Sequence, residues 1–254
     1  MRKFMPSLIF FSFLLLLWEY IVKAFQIDKF ILPPPSAIFE ALINSSLLLL
    51  EHSKYTALEA FIGFSLAVFA GMVLAMIISL ITAVKKTLYP LVIVSQTVPI
   101  MAVAPLLIIW FGYGLLPKVM VVALVCFFPI TVSLVEGLEK VDADVIRLLQ
   151  AMGANKFQVF IKVQLPAALP SLFSGLKISA TYSIMAAVIA EWLGASRGLG
   201  IYLTRSMHSF QTEQVFAVII VISGLSLAFV ALVEGAGRML MPWYYKKHSV
   251  ADQK

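Results

Sequence analysis

Long apolar runs joined by short polar connections dominate the chain, and six of them can cross a bilayer: Leu8 to Ala24, Ala57 to Ala83, Leu88 to Phe111, Val119 to Leu138, Leu172 to Leu193, and Val215 to Gly237. Crossing the hydrocarbon layer takes about 20 apolar residues in a helix. An isolated strand there would leave its backbone polar groups unpaired, so all these runs are predicted to be helices. The chain is read as all-α, a polytopic membrane protein with about six transmembrane helices forming one domain over 1–254. Pro90, Pro99, Pro105 and Pro129 fall in the third and fourth runs, where each removes a backbone donor and crowds the preceding turn, so kinks or local unwinding are predicted there.

Two runs carry small residues at every fourth position. Gly63, Ala67, Gly71 and Ala75 make such a stripe in the second run, and Gly175, Ser179, Ser183, Ala187 and Glu191 make one in the fifth. Helices in lipid associate by close packing, which small residues permit, so the first stripe predicts a helix contact. The second also carries hydroxyls and a carboxylate. Polar groups in membranes turn inward, so this face is expected to line a translocation path or a subunit interface, with Glu191 near its outer end.

The connections differ in kind. Residues 26–56 form an outer loop with the stiff stretch Leu32-Pro-Pro-Pro-Ser36, followed by Ala37 to Leu50, which is predicted to lie as a helix on the membrane surface. Residues 139–171 form the longest inner connection, with charges, a central glycine and two prolines.

Composition agrees: 61% of residues are hydrophobic and 13% charged, far from a soluble domain. The net charge of +6 is spread over the connections, which speaks to topology and the lipid bilayer and not to nucleic acid. With the N-terminus inside, the cytoplasmic set is Arg2, Lys3, Lys85, Lys86, Lys140, Arg147, Lys156, Lys162, Lys177, Arg238, Lys246, Lys247 and Lys254, against Lys23, Lys29, Lys54, Lys118, Arg197 and Arg205 outside. This excess predicts both termini in the cytoplasm. Met1 to Lys3 followed by Leu8 to Trp18 has the shape of a signal peptide, but Tyr20, Val22 and Phe25 offer no small-residue cleavage site, so the segment is read as an uncleaved first span.

The polar residues exclude other functions. Cys126 is the single cysteine and lies in an apolar run, so it is read as a small hydrophobe. His52, His208 and His248 have no metal-ligand spacing and are expected in exposed loops or the tail, which argues against a membrane-embedded enzyme. An ion-coupled carrier would need ionisable groups near the midplane, whereas the charges here gather near span ends. Glu19 with Lys23, Glu136 with Lys140 and Glu234 with Arg238 are spaced as i,i+4 pairs at a membrane surface.

The inner connection carries the most specific signal. Arg147, Leu148, Leu149, Ala151 and Met152 lead to Gly153, after which Ala154, Phe157, Phe160 and Ile161 continue to Val163, Leu165 and Pro166. This predicts two short helices broken at Gly153, with apolar surface that needs a partner. Glycine, nine residues, an aliphatic, any residue, then Leu-Pro resembles the signature loop of permease subunits of binding-protein-dependent ATP-binding-cassette importers. Where that family commonly carries Glu-Ala-Ala, this chain has Arg147, Leu148 and Leu149. Ile31 to Ser36, Pro99 to Pro105, Ile109 to Gly112, Phe128-Pro129 and Glu191-Trp-Leu-Gly-Ala-Ser-Arg-Gly-Leu-Gly200 are similar to the branch importing nitrate, sulfonates, taurine and thiamine-precursor pyrimidines.

The resemblance implies a type I importer permease fold in the plasma membrane and a non-catalytic role. It further implies two permease copies, separate ATPases docking on the 139–171 loop, and an extracytoplasmic solute-binding protein. The chain has no Gly-x-x-x-x-Gly-Lys-Ser/Thr loop, so it is expected to bind no cofactor, ATP with magnesium being held by the ATPase. The cargo implied is a small organic solute such as a thiamine-precursor pyrimidine, or an anion of the sulfonate, taurine or nitrate type.

Overall fold

The computed structural model describes residues 5–245, and Arg2, Lys3, Lys246, Lys247, His248 and Lys254 lie outside them. Its helices are α1 (Met5–Ala24), α2 (Pro35–Asn44), α3 (Ser46–Leu80), α4 (Thr82–Ser95), α5 (Ile100–Phe111), α6 (Leu115–Glu139), α7 (Ala143–Ala151), α8 (Lys156–Val159), α9 (Leu165–Trp192), α10 (Leu199–His208) and α11 (Thr212–Leu240). A π-helical turn, Phe160–Gln164, joins α8 to α9. No strand occurs among the described residues. Among the described residues five helical stretches are long and apolar enough to cross a membrane, and α4 and α5 pass the same test only together, as a broken span or a re-entrant loop bent by 99°. Five of the six runs read from the sequence fall on these stretches, and the third falls on the bent pair.

Helices α3, α6 and α9 form the centre, and the first small-residue stripe explains how α3 approaches α6. A Cβ on Gly63 would sit 2.5 Å from Val122 Cβ, and one on Gly71 would sit 3.1 Å from Thr131 Oγ1. Cys126, Ile130, Leu134 and Val135 of α6 are completely buried between these neighbours. Cys126 therefore is the small buried hydrophobe the sequence suggested.

Several boundaries differ. Leu47 to Leu50 belongs to the long helix α3 and not to the surface helix, which is the shorter α2 with Pro35 as its first residue. Extending α3 buries Leu49 to 3% exposure against the α10 and α11 side, which a separate surface helix would forgo. The fifth span begins earlier than Leu172, because helical backbone runs unbroken from Lys156 to Trp192. Pro166 would press its ring on the Lys162 carbonyl in an α turn, and the wider π turn just before it gives room. Helix α10, within the connection between the fifth and sixth spans, has no counterpart in the sequence reading.

The third span breaks at Gln96 to Pro99, where Pro99 caps α5 in an extended conformation. Pro90, Pro105 and Pro129 stay inside continuous helices. Of the expected surface pairs, Glu19–Lys23 (2.6 Å) and Glu234–Arg238 (2.7 Å) form, while Lys140 donates to Ser171 Oγ at 3.3 Å and Lys85 meets Glu139 at 2.8 Å.

Candidate functional site

The elbow between α7 and α8 is built from local signals. Asp142 caps α7 by accepting the Asp144 amide at 2.8 Å. The helix ends in a Schellman motif: Ala154 N–H donates to Leu149 O and Gly153 N–H to Gln150 O, both at 3.0 Å. Gly153 takes φ +91° there, a conformation that L side chains rarely adopt. Asn155 and Gln158 then close a reciprocal capping box that starts α8. Sequence reasoning thus placed the corner correctly, and the structure supplies its mechanism.

The elbow presents apolar side chains to its surroundings. Leu148, Met152 and Phe157 are 61%, 76% and 71% exposed, and Arg147 and Ala151 are exposed beside them. Leu149, Gly153, Ala154 and Val163 border a shallow depression on this surface. Leu165 and Pro166 instead lie half-buried in the first turn of α9. Arg147 lies 3.4 Å from Asp144 within α7, both side chains well exposed.

The small-residue stripe of α9, expected to line a translocation path or a subunit interface, faces the interior of this chain: Ser179, Ser183, Ala187 and Glu191 have 0% exposure and Gly175 is buried. The partner is the chain's own α6: a Cβ on Gly175 would lie 2.7 Å from Pro129 O and from Ser133, and Ser179 Oγ donates to Cys126 O at 2.9 Å. The stripe's hydroxyls are satisfied by backbone carbonyls, as Ser183 also is at Ala180 O.

Glu191 holds the start of α10. Its Oε2 accepts the Gly200 amide at 2.5 Å and its Oε1 accepts the Thr56 hydroxyl at 2.7 Å. Thr56 Oγ1 in turn accepts the Leu199 amide at 2.8 Å, and His52 Nδ1 accepts that of Gly198 at 2.9 Å. Three successive amides at a helix N-terminus, which have no partner within the helix, are therefore satisfied by side chains of α3 and α9. Gly198 and Gly200 are required by proximity, since a Cβ on either would fall within 3.0 Å of the Glu191 side chain. The expectation that His52 is an exposed loop residue is wrong: it is 7% exposed in α3, stacked on Tyr202 at 5.2 Å. His208 is exposed at the end of α10, and His248 lies outside the described residues.

Beside this cluster, Lys118 of α6 donates to Glu59 of α3 at 2.6 Å, with side-chain exposures of 14% and 4%. The Glu59 carboxyl also neighbours that of Glu191. Sequence reading passed over this pair, although Glu59 is the one charge inside the Ala57 to Ala83 run.

The other face of α9 opens onto a cavity that the sequence reading missed. Its volume is about 340 Å³, and Ser95, Gln96, Leu124, Phe128, Tyr182 and Met185 line it where α4 breaks from α5. The missed signal was Gln96 three residues before Pro99, a polar residue at a helix break inside an apolar run.

Comparison with known proteins follows the same lines. The family model described as binding-protein-dependent transport system inner membrane component matches residues 63–244. The formylaminopyrimidine transport permease protein ThiX of Halalkalibacterium halodurans is 36% identical over 244 residues, covering 95% of this chain and 96% of its own length. The taurine transport system permease protein TauC of Escherichia coli is 29% identical over 238 residues, covering 91% and 86%. A chain of the MetNI methionine ABC transporter, solved in inward-facing conformations, superposes with a TM-score of 0.68 at 18% identity, over 78% of this chain and 98% of that one, and so shares the fold.

Proposed function

The chain belongs to the binding-protein-dependent transport system inner membrane component family, and from that premise we propose that its elbow around Gly153 is the surface through which a separate ATPase drives it. The chain is the multi-pass permease subunit of an ATP-binding-cassette importer in the plasma membrane, non-catalytic itself and completed by an ATPase and a solute-binding protein. The observation that carries the elbow reading is the exposure of Leu148, Met152 and Phe157 on a corner rigidified at both helix ends. An apolar knob of this kind is stable when a partner's groove covers it. Arg147, Ala151, Gly153 and Ala154 shape its surface, while Val163, Leu165 and Pro166 tie it to α9, so a push on the knob is passed directly to a helix in the centre of the bundle.

In this reading two copies of the chain enclose the path. The excess of Lys and Arg on the elbow side supports cytoplasmic termini and a cytoplasmic elbow. ATP and magnesium belong to the ATPase, in keeping with a sequence that has no phosphate-binding loop. Residues 1–254 act as one domain. The stripe from Gly175 to Glu191 keeps α9 seated on α6 and α10, and the cargo passes along the opposite face of α9, at Tyr182 and Met185.

The experiment is co-purification with the ATPase. Met152→Asp and Gly153→Val should each weaken ATPase binding by about 30-fold, on the order of 2 kcal/mol for an interface anchor. An undiminished complex with normal cargo-coupled ATP turnover would remove the elbow from the coupling mechanism.

A further inference from the structure

The cavity at the break between α4 and α5 is an open cleft on the side of the bundle, with Gln96, Tyr182 and Met185 exposed in its walls. Phe128 and Pro129 stand midway along the 25 residues of α6, so at about 1.5 Å per residue they are roughly 16–20 Å from either end. Tyr182 and Met185 lie beyond the middle of α9, towards its Trp192 end. Irregular backbone at such depth persists only where protein covers it or where it lines a cavity, and Gln96 to Pro99 does the latter. Interrupted helices near mid-membrane are where carriers of solutes bind them. The volume, about 340 Å³, falls in the range of small-molecule sites, about 300–1,000 Å³.

The chemistry of the walls narrows what enters. Leu124, Val125, Phe128 and Met185 are apolar, and Phe128 and Tyr182 bring two aromatic rings. Among the described residues, the Gln96 carboxamide and the Tyr182 hydroxyl make no side-chain hydrogen bond. An amide offers one acceptor and two donor hydrogens, and here the side chain is exposed at the cavity with neither committed, so both are available to a ligand. No lining residue is charged. The nearby cations are committed elsewhere, Lys118 to Glu59 and Lys177 to Glu234. An anion stripped of water here would meet no compensating charge in the lining.

We infer that this cavity is a cargo site for an uncharged, flat heteroaromatic solute, which Phe128 and Tyr182 contact through their rings and Gln96 reads through its carboxamide. The inference rests on the permease reading above and deepens it. A lipid acyl chain is a poorer occupant, because it would leave the carboxamide unpaired. Sulfonates and nitrate are excluded by charge.

The test uses the assembled transporter, with its ATPase and binding protein, in proteoliposomes. ATP-dependent uptake of a formylaminopyrimidine and of taurine is measured for the native chain, Gln96→Leu, Tyr182→Ala and Phe128→Leu, with size-exclusion co-elution as the check on assembly. The expected result is pyrimidine uptake without taurine uptake, and a tenfold or greater rise in half-saturating pyrimidine concentration for Gln96→Leu in a complex that still co-elutes. Taurine uptake by the native transporter overturns the inference. So does pyrimidine uptake indifferent to all three substitutions, or uptake of neither probe by a complex that still hydrolyses ATP. A native chain that forms no complex with any ATPase would instead defeat the permease reading, so the two failures are distinct.

Discussion

Thr56 Oγ1 stands 2.7 Å from Glu191 Oε1, joining α3 to the end of α9, and the same oxygen accepts the Leu199 amide that begins α10. One hydroxyl thus ties three helices by donating once and accepting once. Thr56→Val keeps the shape and removes both bonds. It should lower stability by about 1–3 kcal/mol, the cost of leaving buried polar groups unpaired. Glu191→Ala should cost at least as much, and Gly198→Ala should mimic it by clashing with the carboxyl. Thermal unfolding in detergent and limited proteolysis across 198–208 are the measurements. Unchanged melting and protection for both Thr56→Val and Glu191→Ala would refute the anchoring role.

The Glu59–Lys118 pair makes a separate prediction, because it is almost wholly buried. Removing one partner strands the other charge, so Glu59→Leu or Lys118→Met alone should cost about 3–5 kcal/mol. The double replacement should recover most of that loss, since an apolar pair of similar volume restores packing. A double-mutant cycle by melting temperature decides it; additive losses would mean that the pair does not act as a unit.

Close packing of α9 on α6 can be tested by volume. Gly175→Val drives new atoms into Pro129 O and Ser133, already 2.7 Å from the position of a bare Cβ. Overpacking of this kind costs about 1–3 kcal/mol, more when backbone must move. Gly224→Ala is the control, with nothing within 4 Å of its added Cβ. Equal yields of folded protein from both variants would argue against the tight α6–α9 contact.

Membrane orientation has a simple chemical readout. Cys126 is fully buried, so the native chain should resist a membrane-impermeant maleimide. Met152→Cys places a thiol where the native side chain is 76% exposed. Labelling is expected in inside-out vesicles and not in right-side-out ones. The opposite pattern would put the elbow outside and reverse the topology.

The sequence by itself determined the spans, the elbow and the fact that the small-residue stripe of α3 makes a helix contact. Each is written in near neighbours: about 20 apolar residues make a spanning helix whatever surrounds it, and Gly153 with Asn155 and Gln158 sets the corner through bonds that stay within seven or so residues. Only the tertiary structure decided the use of the α9 stripe, because its spacing at every fourth residue states that the face is buried but not against what. That Glu191 serves Gly200 and Thr56, the latter 135 positions away in the chain, depends on where α3 and α10 come to rest. The cavity is likewise tertiary, since Gln96, Phe128 and Tyr182 meet only because α4 breaks beside α6 and α9. Spacing along a helix fixes a face, and only packing chooses its neighbour.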